Sequence, residues 1–117
     1  MTEGPACIFC RIVAGDLPAE VVQRTEHTLA FRDLHPQAPV HVLVVPLRHV
    51  DDAATVTLAD AALSADMLVA ARQVAEAEGV AESGYRLVFN VGDDGGNTVG
   101  HLHLHVLGGR PLGWPPG

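Results

Sequence analysis

The sequence predicts an α+β protein in which helices cover one antiparallel sheet, and three observations favour this fold class. The 117-residue chain has the length of one compact domain, and its 48% hydrophobic and 18% charged residues are typical of a globular protein. Short apolar and β-branched runs alternate with turn residues, as strands joined by hairpins do. One segment near the middle has the apolar period of a long helix. We therefore expect residues 1–117 to form a single domain with five strands, one long helix and one short helix, the helices lying on one face.

The first half of the chain is expected to contain a short helix followed by three strands. Residues 7–13 are predicted to be helical, because Gly15 and Pro18 end that apolar segment. Two runs, 20–24 and 28–32, are separated by polar residues and predict a hairpin. The β-branched run 40–45 predicts a third strand, which Pro46 closes.

The long helix is expected at residues 57–78, between a capping signal at Thr57 and Asp60 and a C-terminal stop at Gly79. Its apolar stripe is expected to pack in the core and comprises Leu58, Ala61, Ala62, Ala65, Leu68 and Val69. Residues 85–91 predict a fourth strand and residues 100–107 a fifth. A polar, glycine-rich loop lies between them.

Charge and cysteine content exclude several classes of protein. The net charge of −7 argues against a general nucleic-acid or membrane-surface binder. The chain shows neither a signal-type segment nor an apolar run of about 18 residues, so we expect a soluble, cytoplasmic protein. In that compartment the pair Cys7 and Cys10 indicates a metal site or a redox site, not a disulfide framework.

Three alternate histidines, His101, His103 and His105, are the strongest functional signal. On a strand they would share one face and turn Leu102 and its alternate neighbours into the core. Imidazole serves nucleophilic, acid–base and metal-ligand chemistry near neutral pH. A chance surface pattern and a three-histidine metal site are the alternatives, the second requiring a strongly bent strand. We expect His103 to be the nucleophile, because it alone has a histidine on either side.

The loop before these histidines resembles a phosphate site. Gly95 and Gly96 let backbone N–H groups turn inward, and Asn97 and Thr98 add side-chain donors. An ordinary hairpin loop has the same composition, so only the neighbouring histidines favour a binding role.

The chain resembles the histidine triad (HIT) superfamily over nearly its whole length. The run His101-Leu-His-Leu-His-Val106 matches the triad signature. Further matching segments are Cys7-Ile-Phe-Cys-Arg-Ile12, Asp33-Leu-His-Pro-Gln-Ala-Pro39, His41-Val-Leu-Val-Val-Pro46, Asp94-Gly-Gly96 and Trp114-Pro-Pro-Gly117. The ending is similar to the histidine triad nucleotide-binding (Hint) branch, and the cysteine motif is similar to bacterial-type members.

This resemblance implies a purine nucleoside phosphoramidase that releases AMP or GMP. It implies that His103 carries a transient nucleotidyl group, that His105 contacts phosphoryl oxygens and aids leaving-group protonation, and that His101 orients the neighbouring ring. His41 matches a position near the active site. The alternatives are a hydrolase of dinucleoside polyphosphates or adenylylated compounds, and a purine-nucleotide-binding protein without catalysis.

The resemblance also implies the nucleotide contacts. Asp33 would bind the ribose hydroxyls, and an apolar base pocket would contain Ile8, Phe9, Phe31 and Leu34, with Arg32 at its edge. Core packing is the alternative for the apolar members. Asn90, Gly96, Asn97 and Thr98 would position the phosphate and leaving group. Asn97 and Arg32 depart from the Gln and His of eukaryotic relatives, which puts base and leaving-group preference in doubt.

Zinc and a partner chain complete the implied features. Related proteins hold a structural zinc ion with residues that correspond to Cys7, Cys10, His49 and His101. Two partly buried thiols or a redox pair are the alternatives. The family forms two-fold dimers whose sheets join, and Trp114 would then lie near the partner's active site. A Trp folded back onto its own subunit is the alternative.

Overall fold

The computed structural model describes residues 7–117, and within that range five antiparallel strands form one sheet. The strands are β1 (Val21–Arg24), β2 (Thr28–Arg32), β3 (Val40–Pro46), β4 (Tyr85–Phe89) and β5 (Leu104–Gly108). Their order is β1-β2-β3-β5-β4, so β1 and β4 are the edges. Helices α1 (Ile8–Ala14) and α2 (Ala61–Ala77) complete the α+β fold, which confirms the predicted class. Neither helix in this range is long and apolar enough to span a membrane.

Helix α1 begins where the cysteine motif begins. Cys7 is its N-cap, and the Cys7 sulfur accepts a hydrogen bond from the backbone N–H of Cys10 at 3.4 Å. Gly15 ends the helix with a φ of 85°, a conformation that favours glycine, and its N–H bonds the last free carbonyls. The helix therefore holds both thiols at one end.

Helix α2 corrects two expectations. It begins at Ala61, after a 3₁₀ turn (Leu58–Asp60) that Thr57 and Asp60 cap. The predicted apolar stripe is wrong, because all six of its members are exposed and Leu58 is 94% exposed. The buried face comprises Leu63, Met67, Ala70, Ala71, Val74 and Ala75. Apolar residues surround most of this helix and both faces carry three alanines, so periodicity alone fits two faces, and only packing in the folded protein selects one.

The two helices lie on opposite faces of the sheet, which corrects the expectation that they share one. Alternation along β2 points Ala30 toward α2, whereas Leu29 and Phe31 pack with Phe9 of α1. The apolar periodicity of each helix predicts that it packs against the sheet, but it does not indicate which face of the sheet the helix covers. The α1 face is the one on which the histidines of the site gather.

Strand β5 is shorter than predicted and starts at Leu104. His101 and His103 precede it, because β4 ends opposite Leu104 and the carbonyl of Pro46 accepts a hydrogen bond from the His101 ring instead of a backbone N–H. Leu102, Leu104 and Val106 are buried, as predicted. Strand β4 likewise ends two residues before its expected limit. Only His105 therefore follows the regular alternation of a strand.

Candidate active site and metal-ligand cluster

The hydrogen bonds of His103 leave one ring nitrogen with a free lone pair. Nδ1 lies 2.8 Å from the carbonyl oxygen of His101. A carbonyl only accepts, so Nδ1 carries the proton and donates it. In the neutral ring, Nε2 is then the unprotonated nitrogen. This tautomer is the one that a histidine nucleophile needs.

His105 is joined to His41 in a chain of directed hydrogen bonds. The backbone N–H of Gln37 donates to His41 Nδ1 at 3.0 Å, so neutral His41 carries its proton on Nε2. That Nε2–H donates to His105 Nδ1 at 2.9 Å. His105 must therefore carry its own proton on Nε2. His103 thus offers a lone pair, whereas His105, whose ring centroid lies 5.1 Å away, offers a donor.

Burial keeps these rings neutral. Desolvation lowers the pKa of His105 to about 4, and the nearby His103 and His41 add to the shift. Burial also lowers the pKa of His41, although Asp33 opposes that shift. Both rings are therefore uncharged near pH 7, as the directed chain of hydrogen bonds requires.

Asp33, His41 and His105 have the composition of a metal site but the wrong proton positions for one. Their ligand atoms lie within 4.8 Å of one another, and the Asp33 carboxylate is 3.5 Å from His41 Nε2. A metal at His41 Nε2 would force the proton onto Nδ1, where the Gln37 N–H already donates. The cluster therefore favours proton transfer over metal binding.

A cleft of about 280 Å³ opens beside His103 and His105 on the α1 face. Its lining includes nine of the predicted nucleotide-contacting residues, namely Ile8, Phe9, Phe31, Arg32, Asp33, Leu34, Thr98, His103 and His105. Phe9 meets the edge of the His103 ring at a centroid distance of 5.3 Å and that of Phe31 at 5.5 Å. The cleft is thus apolar along one wall and carries the two histidines at the other.

Two polar residues of the cleft already have partners. The Arg32 guanidinium is held by Glu20 and by Glu78, through Nη1 to Glu78 Oε1 and through Nη2 to Oε2 at 3.0 Å. The Asp33 Oδ1 atom accepts from the backbone N–H of His35 at 2.8 Å. Its second oxygen remains directed toward His41. Arg32 alternates with Phe31 along β2, so its guanidinium lies on the α2 face, fixed by carboxylates and turned away from the cleft, while Asp33 keeps accepting capacity.

The glycine-rich loop departs from the predicted phosphate cradle. The amides of Gly96 and Asn97 donate to the carbonyls of Asp93 and Gly92, so neither turns toward the cleft. Asn90 Nδ2 donates to the Gly95 carbonyl at 2.7 Å and thereby ties the loop to the end of β4. Asn90, Gly96 and Asn97 do not line the cleft. The loop is a tight turn whose own carbonyls accept from these amides, so the amides are not available to a phosphate.

Asn97 carries an unpaired acceptor. Its Oδ1 atom is buried and has no hydrogen-bond partner among residues 7–117. Buried polar atoms are nearly always satisfied, so this oxygen is an exception among the described residues.

The second cluster joins Cys7, Cys10, His49 and His101, whose ligand atoms lie within 4.8 Å of one another. His101 Nδ1 is 3.4 Å from the Cys7 sulfur, and His49 Nδ1 is 3.3 Å from the Cys10 sulfur. Each ring holds its other nitrogen on an acceptor. His101 Nε2 lies 3.1 Å from the Pro46 carbonyl oxygen, and His49 Nε2 lies 2.9 Å from Asp51 Oδ1. Both Nδ1 lone pairs therefore face the thiols, as a tetrahedral metal requires.

His101 connects this cluster to the cleft. Its ring is completely buried and stacks edge-on with His49, with centroids 4.9 Å apart. Burial lowers its pKa to about 4, so the ring is neutral near pH 7. Its carbonyl is the acceptor that fixes the His103 tautomer. The triad thus divides: the His101 ring belongs to the metal-ligand cluster, and the rings of His103 and His105 belong to the cleft.

Sequence reasoning missed several residues of both clusters. Asp51 holds His49, and its position two residues away could have indicated it. Gln37 acts through its backbone N–H and Pro46 through its carbonyl, so their side chains carry no signal. Ile12 and Val99 also line the cleft but look like ordinary core residues in the sequence.

Comparison with known proteins places the chain among histidine triad proteins. The HIT domain family model matches residues 14–112. An uncharacterized HIT-like protein of Synechococcus elongatus is 46% identical over 110 residues, which cover 94% of this chain and 96% of that protein.

Solved structures agree with this match. A HIT family hydrolase of Legionella pneumophila superposes with a TM-score of 0.93 at 50% identity, covering 95% of this chain and 99% of that one. A histidine triad protein of Clostridium difficile has a TM-score of 0.90 at 38% identity, covering 95% and 96%. The fold, the site and both comparisons lead to one conclusion: this chain belongs to the HIT domain family.

Proposed function

We propose that this protein is a purine nucleoside phosphoramidase that works through a covalent nucleotidyl-His103 intermediate. The observation that carries the proposal is the proton on His103 Nδ1, held by the His101 carbonyl, which leaves Nε2 as a free nucleophile at the cleft. A hydrolase named as a HIT family member is among the similar structures, which supports the reaction class. A protein that only bound nucleotides would not need a nucleophile in this tautomer.

The reaction follows from the proton positions. His103 Nε2 attacks the α-phosphorus, and the P–N bond breaks. The nitrogen departs as an amine after it takes a proton from solvent, while the Nε2–H of His105 donates a hydrogen bond to the phosphoryl group and keeps its own proton. Water then attacks the phosphorus, restores neutral His103 and releases the nucleoside monophosphate, and its spare proton returns to solvent. The His41 contact keeps His105 in the donor tautomer throughout.

Substrate binding is assigned to the walls of the cleft. The purine packs between Phe9, Phe31 and the other apolar side chains, and the ribose hydroxyls donate to Asp33. Thr98 lies beside the phosphate. The remaining loop residues, Asn90, Gly96 and Asn97, lie outside the cleft lining and are proposed to position the phosphate and leaving group through the loop that carries Thr98.

The first experiment is steady-state hydrolysis of a fluorogenic adenosine phosphoramidate by wild type and His103→Ala. We expect the variant to lose about a thousandfold or more in turnover, because no other group supplies the nucleophile. Its affinity for AMP should stay within a modest factor. His27→Ala is the matched control, because His27 is exposed in the β1–β2 turn and does not line the cleft.

Two outcomes would contradict the proposal. Turnover by the His103→Ala protein would exclude the nucleotidyl intermediate. Absence of turnover by wild type, with AMP still bound, would favour hydrolysis of dinucleoside polyphosphates or adenylylated compounds, or a purely nucleotide-binding role. Direct assay of those compounds would then separate these alternatives.

The metal-ligand cluster is assigned to a structural zinc ion. Two thiols and two Nδ1 atoms are the donor set of closed zinc sites, and four protein ligands leave no position for substrate. Through His101, Cys7 and Cys10 would steady the carbonyl that fixes His103. Zinc thus has a positioning role and no part in the reaction.

A two-fold homodimer is the proposed assembly. Strand β4 is an edge of the sheet, its Leu87 and Phe89 are exposed apolar residues, and exposed Leu68 of α2 shares a cavity lining with Phe89. An exposed edge strand with apolar side chains is typically buried by another chain, and β4 of a second copy would pair with it. Trp114 is 84% exposed on its own chain and is proposed to reach the partner's cleft.

Sedimentation tests this assembly. Phe89→Arg should convert the dimer to monomer, because it places a charge in the apolar contact, whereas Val21→Arg on the opposite edge strand should not. Truncation after Leu112 should change selectivity among leaving groups. A monomeric wild type, or a dimer that Phe89→Arg leaves intact, would refute the proposed interface.

A further inference from the structure

The geometry points to a second subsite that binds a carboxylate carried by the leaving group. It is a cavity of about 320 Å³ on the far side of His105, and its polar lining comprises Gln37, His41, Arg86, Asn90, His105 and Arg110. This inference rests on the proposed phosphoramidase activity. The preferred leaving groups would be amines that carry a free carboxylate, and Arg86 and Arg110 would select them.

His105 is the wall that the two cavities share. Val88 of β4 lies opposite His105 of β5, and Arg86 lies opposite Leu107, so Arg86 stands on the His105 face of the sheet. The nucleotide side of His105 contains Asp33 and the apolar wall. A leaving group within hydrogen-bond reach of the His105 Nε2–H therefore extends toward the other side, where the arginines are.

Both arginines are positioned without being neutralised. Arg86 Nη2 donates to the carbonyls of Leu112 at 3.1 Å and Gly113 at 2.7 Å. Arg110 Nη2 donates to the Gln37 carbonyl at 2.9 Å, and its Nη1 donates to Pro111. Carbonyl oxygens hold a guanidinium in place but leave its positive charge unbalanced. Neither arginine forms an ion pair with a carboxylate in the part of the chain described here.

The remaining donors suit an oxyanion. Arg86 keeps its Nε–H and both Nη1 hydrogens, and Arg110 keeps three of its five donors. Guanidinium groups recognise carboxylates through paired hydrogen bonds. In a chain with a net charge of −7, two uncompensated cations in one cavity create a local field that attracts an anion. Asn90 adds a polar side chain beside them.

The test compares adenosine phosphoramidates of glycine, β-alanine and γ-aminobutyrate with the matching neutral amides. We expect kcat/KM to be about fivefold to tenfold higher for the acid at one chain length, the range for a partly solvated ion pair. Arg86→Gln and Arg110→Gln should bring this acid-to-amide ratio close to one. Arg72→Gln, on the exposed side of α2, is the matched control and should keep the ratio. Raising NaCl from about 0.05 M to about 0.5 M should lower the wild-type ratio.

Direct binding separates the two hypotheses. The dissociation constants of each acid and amide are measured on His103→Ala protein, which cannot turn them over, with and without Arg86→Gln. A several-fold preference for the acid that Arg86→Gln removes supports the subsite even if the wild type releases no AMP, an outcome that would refute only the phosphoramidase. Equal binding of acid and amide at every length, or a preference that both arginine variants retain, would overturn the subsite.

Discussion

Two histidine pairs in this molecule each lie in a cluster of possible metal ligands, but they carry their protons in opposite arrangements. His49 and His101 meet two cysteines, and His41 and His105 meet Asp33. In the first pair both Nε2 atoms lie on acceptors, Asp51 and the Pro46 carbonyl, so both Nδ1 lone pairs converge. In the second pair the Gln37 N–H donates to His41 Nδ1. His41 Nε2–H then donates to His105 Nδ1, so each ring in this chain accepts on Nδ1 and donates from Nε2.

The difference shows that a histidine's role is set by the partner of its second nitrogen. An acceptor on one nitrogen frees the lone pair on the other for a metal or an electrophile. A donor on one nitrogen makes the other a donor. His103 follows the first pattern, because the His101 carbonyl accepts from its Nδ1. The same chain therefore presents, from one residue type, two Nδ1 lone pairs beside thiols, one free Nε2 lone pair at the cleft and a chain of donors.

The largest expected effect is the loss of zinc when a ligand of the cysteine-containing cluster is removed. Wild-type protein is expected to retain one zinc ion per chain after dialysis against a weak chelator, and Cys10→Ser to retain none, because affinity falls by about a hundredfold or more. His41→Asn removes a member of the other cluster and should still retain one zinc ion. Zinc content is measured colorimetrically on the unfolded protein. Two tightly held ions in wild type would show that the Asp33 cluster also binds metal and would end the distinction.

Removing the hydrogen-bond acceptor of His49 Nε2 should lower zinc affinity less than removing a metal ligand does. Asp51→Ala removes the acceptor of His49 Nε2–H, so the Nδ1 lone pair is less firmly aimed at the metal. Zinc affinity should fall by about tenfold. Competition with a fluorescent chelator measures the change, with Asp94→Ala in the exposed loop as the control. An unchanged affinity would mean that the cysteines alone orient the site.

The smallest effect concerns the pH dependence of stability. The pKa of His105 is 6.5 in the unfolded chain and about 4 in the folded protein, so the unfolded state binds more protons between these values. The stabilisation from a neutral His105 is therefore present above pH 6.5 and is lost as the pH falls toward 4. Urea unfolding of wild type and His105→Asn at about pH 7.5 and about pH 5.5 measures this. The difference between the two proteins should shrink at the lower pH, and an equal difference at both would contradict it.

Local signals predicted the elements better than their orientation. Cys7, Gly15 and Pro46 mark chain boundaries close to those observed, because caps and strand ends depend on a few neighbouring residues. The buried face of α2 was mispredicted, since alanine and leucine occur around the whole helix. Alternation predicts a strand that includes His101 and His103, but a strand continues only while its neighbours supply hydrogen bonds, and β5 begins at Leu104.

The sequence by itself determined the class of fold, the histidine and cysteine motifs and the resemblance to a family. These depend on periodicity and on residue types at short spacing, which the chain carries locally. Tertiary structure alone decided which nitrogen of each histidine is free, because the deciding partners, the carbonyls of His101 and Pro46 and the N–H of Gln37, are backbone groups. It also decided that Arg86 and Arg110 share a cavity with His105. Backbone groups are the same in every residue, so only the folded path of the chain can bring them to a particular ring.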